Sequence, residues 1–325
     1  MTPKTRLQEG RHEMLKRTQV ATMGFAVVAL ALGAGRSPLA QTQPKDLDAV
    51  IEQQRLKAPP SDPNWRKPPT GAAAAAAGDV AGVLFNWRWY LGMLRGVQEV
   101  ESIATLDLRK STGTINLDGQ PCTLTNYRAS INYQVSGLRA QYTCRLPNGQ
   151  SRTRIEVVSQ QDVATPFAWD EDVVGAGLIP GRGTATAKPD ALAERLIRLW
   201  SGPQGAVKAA HAGGAATKVA LEGGKPVVTF PIPGVRGAIA KATLNAENQA
   251  ERVEVRNGAV VTEFTYEKYA DYNPEDDRVD GYFPGRIVEK RNGVTMLDLT
   301  VVETHVGNIY VVVPVPASVR GSAAR

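Results

Sequence analysis

Histidine and cysteine are almost absent from this sequence, at three and two among 325 residues. His211 and His305 sit in unrelated segments. With Cys122 and Cys144 the only thiols, and expected to be joined to each other, a His/Cys zinc site is close to excluded. No metal or other cofactor is expected. Phosphate-cradling loops are missing too, because Gly181-Arg182-Gly183 lacks a strand-to-helix setting. There is no Gly-x-Ser-x-Gly elbow, and serines such as Ser136 and Ser201 have no visible partner in sequence. An excess of one charge is also lacking once the first segment is set aside. Residues 1–41 hold six of the 38 Lys and Arg but two of the 32 Asp and Glu, so the remainder is near +2. No basic face clusters, which excludes nucleic acid as an expected partner. Finally, the longest apolar run, residues 20–35, is shorter than the ~20 residues a bilayer span needs, so no transmembrane span is expected in the mature chain.

That run has another use. Lys4, Arg6, Arg11, Lys16 and Arg17 precede it, and Pro38, Leu39 and Ala40 follow. Charge, apolar run, breaker and small residue, in that order, predict a secretory signal over 1–40. Cleavage is expected after Ala40, with a cut near Gly35 as the alternative because Pro38 fits the minus-three position poorly. No cysteine lies near the cut to carry a lipid, and no Arg-Arg pair precedes the run, so ordinary unfolded export is expected. The location implied is bacterial, periplasmic or secreted. Residues 41–77 combine prolines, charges and an alanine tract, and read as an extended linker. In an oxidising compartment the even pair Cys122 and Cys144 predicts a disulfide, against the alternative of two buried thiols.

The rest, 78–320, reads as one mainly β (α+β) domain. Asp79 caps a helix over 79–95, where Val80, Leu84, Trp87, Leu91 and Leu94 recur at helical spacing and Trp89, Tyr90 and Met93 widen the stripe. Such a helix packs on a sheet as core, or its Trp87 and Trp89 line a lipid groove. A first meander covers 102–160. Tyr127, Ala129, Ile131, Tyr133 and Val135 alternate inward, then Leu138, Ala140, Tyr142, Cys144 and Leu146, then Thr153, Ile155 and Val157. A two-residue turn at Ser136-Gly137 would set Cys144 opposite Ala129. Cys122 would then reach Cys144 through a chain folded back after Asp118-Gly119-Gln120-Pro121. Residues 162–214 form an irregular and helical insert, with helices over 190–200 and from Pro203. A second meander spans 217–316, punctuated at Gly223-Gly224, Asn257-Gly258, Asp280-Gly281 and Asn292-Gly293.

Two acidic groups draw attention. Asp170, Glu171 and Asp172 follow Trp169, a setting in which a desolvated carboxyl could act as acid or base. The acids from Asp271 to Asp277 offer oxygen ligands, but without the glycine and final Glu of the helix-loop-helix calcium motif they read as a solvated hairpin tip.

The C-terminal third carries a resemblance. Tyr266, Tyr269, Asp271 and Tyr272 precede Gly281-Tyr282-Phe283-Pro284, Arg286-Ile287, Gly293, Leu297-Asp298-Leu299-Thr300 and Pro314-Val315-Pro316. This stretch, behind a helix and a meander, resembles the periplasmic lipoprotein carriers of the LolA/LolB-like half-barrel type. The resemblance implies a large curved antiparallel sheet wrapped on the N-terminal helix, with short helices inserted mid-chain and an apolar interior that receives acyl chains. The body is longer than in such carriers, and the cysteine pair and the helical stretch 190–213 match no functional residues of that family, so no binding residue is carried over. The leading expectation is an exported carrier of a lipid or other hydrophobic small molecule. Inward alternation and the helical stripe suggest Trp87, Tyr133, Tyr142, Phe264 and Tyr266 as its lining. The alternatives are a non-catalytic envelope module that binds another envelope protein, and a hydrolase using Asp170 or Glu171.

Overall fold

The computed structural model describes residues 78–93, 103–272, 281–307 and 310–322. The expected signal (1–40), linker (41–77) and most of the acidic loop (273–280) lie outside the described residues. All described residues belong to one compact unit, Asn64–Arg325.

Helix α1 is Val80–Tyr90, capped as its sequence predicts: the Asp79 carboxylate accepts from the Gly82 amide at 2.8 Å. Six strands follow, β1 (Thr105–Leu117), β2 (Gln120–Asn132), β3 (Gly137–Arg145), β4 (Ser151–Ser159), β5 (Phe167–Glu171) and β6 (Ala185–Ala187). Helices α2 (Leu192–Ser201) and α3 (Pro203–Ala212) come next. The chain then forms β7 (Lys218–Glu222), β8 (Lys225–Pro231), β9 (Ile239–Leu244), β10 (Ala250–Asn257), β11 (Val260–Asp271), β12 (Tyr282–Arg291), β13 (Val294–Thr300) and β14 (Glu303–Val306). A short helix, α4 (Ala317–Ser322), ends the described chain.

These strands make one curved, unclosed, antiparallel sheet of 14 strands, as the sequence and the half-barrel resemblance lead one to expect. Its order is β6-β5-β4-β3-β2-β1-β13-β12-β11-β10-β9-β8-β7, with β14 pairing β1 beside β13. Two sequential meanders are thus stitched together by β1 and β13, where Thr112 lies opposite Thr300 and Ile115 opposite Leu297. The first and last strands in space are β6 and β7, yet they are neighbours in sequence except for α2 and α3. The helices therefore return the chain across one face. Thirteen strands at ~4.8 Å spacing would span roughly 58 Å if flat, while two ten-residue helices reach about 30 Å end to end. Curling the sheet around the helices brings its edges within that reach and buries the inner face. Trp87, Phe230, Tyr142, Leu196, Leu199 and Leu299 are among its buried side chains.

The alternation in β2 and β3 holds face by face. Tyr127, Ala129, Ile131, Leu138, Ala140, Tyr142 and Cys144 are buried in one core. The register differs from the expected one. A 3-10 turn at Tyr133–Val135, with Ser136 left-handed at φ 47°, replaces the two-residue turn, so Asn132 faces Gly137. Cys144 consequently lies opposite Leu124 rather than Ala129. Cys122, two residues away on that face, forms the disulfide with Cys144 across a Cα separation of 5.5 Å. From Asn126 to Asn132 the slip is four residues, and an even slip keeps every side chain on its face, which is why the inward set survives the changed register; an irregularity between Leu124 and Asn126 adds the fifth residue that sets Cys144 opposite Leu124.

On β4 the expectation fails. Ile155 and Val157 do not continue the inner face. They lie opposite Gln141 and Arg139, whose neighbours on β3 point inward, and they join a second core with Trp169, Ala185, Val311, Val313, Val315 and Val319. The C-terminal segment covers this outer face. It is held by the Asn132 amide donating to the Val311 carbonyl at 2.9 Å and by the Val313 amide donating to Gln161 Oε1 at 2.6 Å. With its outer face also covered, β4 is buried on both sides at its end, Val157 on the outer face and Val158 on the inner.

The seam between the meanders is close-packed at Gly113. Its φ is +137°, and a Cβ there would lie 1.9 Å from the Asp298 carbonyl oxygen. Gly113→Ala is expected to destabilise the fold by roughly 2–4 kcal/mol in urea titration, from backbone strain and overpacking together. Gly258→Ala, at φ +60° in open space, is expected to cost about 1 kcal/mol. Replacing both Cys122 and Cys144 with Ser opens a loop whose ends are 22 residues apart, and should lower the urea-derived stability by about 3 kcal/mol.

Candidate functional site

Helix α2 is amphipathic; Arg195 is buried beside Leu196, Leu199 and Trp200, and Arg198 is partly buried next to them. Arg195 anchors the helix to the first meander, donating to the carbonyls of Val157 and Trp169 at 3.0 and 2.6 Å and to Asp170 at 2.5 Å. Helix α3 follows after Gly202, starting with Pro203 at its first turn, where a missing amide costs nothing. Residues Pro203, Gln204, Gly205, Ala206, Val207, Lys208, Ala209 and Ala210 are all buried, so α3 lies inside the curl. Its small side chains permit this: a Cβ on Gly205 would meet the Leu199 carbonyl oxygen at 2.2 Å. The Gln204 amide donates to the Tyr282 carbonyl at 2.8 Å, and the Tyr266 hydroxyl donates to the Ser201 carbonyl.

Between this helix pair and the sheet remains a cavity of about 60 Å³. Leu199, Gly202 and Pro203 form its helical wall; Tyr133, Leu138, Ile131, Phe264, Tyr266, Phe283, Ile287 and Leu299 are among the apolar and aromatic groups facing them. Arg198 and Glu289 are its charged lining. Arg198 donates through Nε to Glu289 at 2.9 Å and through its terminal nitrogens to Glu156 at 3.3 Å and Glu194 at 3.4 Å. Glu289 is 1% exposed, so its charge depends on that partner. Burial disfavours the charge on Arg198, but Glu289 and Glu156 outweigh it and hold its pKa well above the ordinary value. Burial also pushes the phenols up: Tyr127 to about 12, and Tyr133, Tyr142 and Tyr266 further, so all four stay protonated at neutral pH.

Of the five candidate lining residues, Tyr133, Phe264 and Tyr266 meet at this cavity. Tyr142 lies beyond it, stacked on Tyr127 at 6.3 Å and donating to Glu156 at 2.9 Å. Trp87 is away from the cavity, buried at 6.4 Å from Phe230. Trp89 is half-buried against Phe85. Arg198, Glu289 and the Gly202-Pro203 wall were not anticipated. A lone acid among the apolar residues of a strand, as Glu289 is between Ile287 and Leu297 in space, was the available signal for one of them.

The loop acids have other work. Glu171 is buried and accepts from both ends of Arg139 at 3.2 Å, from the Trp169 indole at 3.0 Å and from the Gly175 amide at 2.8 Å. Asp170 is bound to Arg195, and Asp172 accepts from the Thr184 amide at 2.8 Å. Each fixes the chain around β5. His305 pairs with Glu303 on the surface, and His211 is exposed at the end of α3. Among the described residues no three His, Cys, Asp or Glu groups gather as a metal site. No described helix is long and apolar enough to cross a membrane.

The chain is similar to a domain from Vibrio parahaemolyticus described as an outer membrane lipoprotein-sorting protein domain, at 9% identity and a TM-score of 0.36. The match covers 63% of this chain and 86% of that one. No family model and no curated protein matches the sequence.

Arg198 is the electrostatic keystone of the cavity's polar end, and its removal should show in stability. Arg198→Met leaves Glu289 buried with Arg291 alone, at 3.5 Å, and is expected to cost about 3–5 kcal/mol in urea unfolding. Adding Glu289→Gln to that variant should recover part of the loss.

Proposed function

We propose that this protein is an exported, non-catalytic carrier of a lipid or other apolar ligand, working in the bacterial periplasm or outside the cell. The observation that carries the reading is the cavity between the α2 and α3 pair and the inner face, bounded by aromatic and aliphatic side chains. At about 60 Å³ it is below the ~300 Å³ of small-molecule sites, so ligand entry goes with outward movement of the helix pair. The pair suits that movement. It is a connection rather than a layer of the sheet, and its ties at the cavity are the hydrogen bonds of Tyr266 and Gln204 and the pairs of Arg198 with Glu289 and Glu156, all of which break together as it swings out. Withdrawn, it would bare an apolar trough lined by Tyr133, Phe264, Tyr266 and Phe283. The disulfide between Cys122 and Cys144 fits an oxidising compartment. The acids around Asp170 are committed to structural partners, which removes the motive for a hydrolase.

A second reading, a docking module for another envelope protein, draws on the exposed apolar side chains of Ile179, Tyr310 and Val312, at 57, 82 and 55%. One experiment separates the two. Native mass spectrometry of the mature protein taken from the cell envelope, followed by organic extraction, should reveal a bound apolar molecule. Ile287→Trp, which fills the cavity, should lose it while keeping the far-UV spectrum. A clean apo mass that retains no added lipid would overturn the carrier reading, and a co-purifying protein would favour the docking module.

A further inference from the structure

The polar side-chain atoms on the cavity wall belong to five residues, Tyr127, Tyr133, Arg198, Tyr266 and Glu289. Three of these are committed. Arg198 and Glu289 hold each other at 2.9 Å, and the Tyr266 hydroxyl donates to the Ser201 carbonyl. Charge on the wall is thus balanced. It stays so as the helix pair moves out, because Glu289 keeps Arg291, two residues along β12, at 3.5 Å, and Arg198 keeps Glu194, one turn along α2, at 3.4 Å.

Two phenols remain. Tyr127 reaches the wall among the charges of Arg198, Glu156 and Glu289. Tyr133 reaches it beside Gly202, where a Cβ would lie 3.9 Å from the Tyr133 Oη. Tyr133 is 5% exposed, and its hydroxyl meets no hydrogen-bond partner among the described residues. The polar group beside that hydroxyl is the Gly205 amide, itself a donor, so the phenol proton has no acceptor. Lys208 Nζ lies over the Tyr133 ring, 5.6 Å from its centre, and a cation there draws charge from the ring and strengthens the hydroxyl as a donor. The other unpartnered atoms nearby do not face the cavity. Trp200 Nε1, whose ring lies 6.0 Å from that of Tyr133, Ser201 Oγ and Gln204 Oε1 all belong to residues outside the lining. An unmet donor therefore opens on a charge-balanced, mainly apolar space, and a buried donor left unmet is unfavourable.

We propose that Tyr133 sets the specificity of the carrier: its hydroxyl donates to an uncharged oxygen of the ligand, an ester carbonyl or an alcohol hydroxyl, so that neutral oxygen-bearing molecules are taken and charged amphiphiles of either sign are refused. A carboxylate or an ammonium would be buried with no free counter-charge on the wall, a penalty that outweighs one hydrogen bond. A neutral oxygen carries no such penalty. Room for it exists beside Tyr133, since the cavity measures about 60 Å³ where one water takes roughly 10–15 Å³. Tyr133 belongs to the turn between β2 and β3, not to the helix pair, so its hydroxyl keeps its place on the sheet side as the pair moves to admit the chain. The inference rests on the cavity being the ligand site, and its test lets the two ideas fail separately.

The mature protein is titrated at neutral pH with methyl octanoate, octan-1-ol, octanoate and octylammonium, each below its aggregation concentration, by isothermal titration calorimetry. The two neutral compounds should bind at least about tenfold tighter than the two ions. Tyr133→Phe keeps the ring and removes the hydroxyl alone. It should weaken the neutral compounds about five- to tenfold while its urea midpoint does not fall, because the group removed was unpaired. Tyr142→Phe, whose hydroxyl is spent on Glu156 beyond the cavity, should leave those affinities unchanged. An ion bound as tightly as the neutral compounds, or neutral affinities unchanged in Tyr133→Phe, would overturn the selection and leave the cavity as a site. A fallen urea midpoint in Tyr133→Phe would show that the hydroxyl already has a partner, and would overturn the selection too. Binding of none of the four would overturn the site itself.

Discussion

The arrangement of this protein depends on one topological constraint: the two strands that end the sheet are joined to each other. Because β6 and β7 lie at opposite edges, the chain between them has to travel the width of the sheet over one face. A helix pair is the economical way to do so, since helices satisfy their own backbone groups while crossing an apolar surface. The sheet curls because the pair is shorter than the flat sheet is wide, and the inner face becomes the core because the pair covers it. The run of small residues in α3 follows from the same cause. A helix buried from Pro203 to Ala210 inside a curl packs closely through Gly205, Ala206, Ala209 and Ala210, and at Gly205 even a Cβ would meet the Leu199 carbonyl oxygen at 2.2 Å.

The placement of charge follows from the constraint as well. A connection that must cross an apolar face still has to be held in one position, and packing of small side chains alone holds it loosely. Arg195 and Arg198 do that holding. The first binds two main-chain carbonyls and Asp170, and the second gathers carboxylates from β4, β12 and its own helix. Burying such groups is unfavourable unless every partner is in place, so they define a single seating for the helix pair rather than adding much stability. Arg198 and Glu289 therefore belong both to the anchor and to the cavity wall.

Much of this was legible in the sequence, for a local reason. Period-two alternation reports which face a residue takes, and it reported Tyr133, Phe264 and Tyr266 correctly as inward even where the register of β2 against β3 was four residues off. The turn chemistry was less legible. Ser136-Gly137 reads as a two-residue turn, whereas Asn132 accepts from the Gln134 amide and winds a 3-10 turn ahead of it. Trp87 and Tyr142 are as inward as the others, but alternation says nothing about position along the curl, and both lie away from the helical wall. Ile155 and Val157 were misassigned because the segment that covers them arrives from the far end of the chain. Arg198 and Glu289 are 91 residues apart, so although the lone acid of β12 was a signal, nothing local told which cation would meet it.

The C-terminal covering has a consequence for how the molecule comes into being. The strands that carry Ile155, Val157 and Trp169 are synthesised long before the valines that shelter them, Val311, Val313, Val315 and Val319. Until the last of these emerges, an apolar strip lies open on the outside of an otherwise complete meander. A chain lacking Val311 to Val319 would keep the strip bare, whereas one that includes them withdraws it from water.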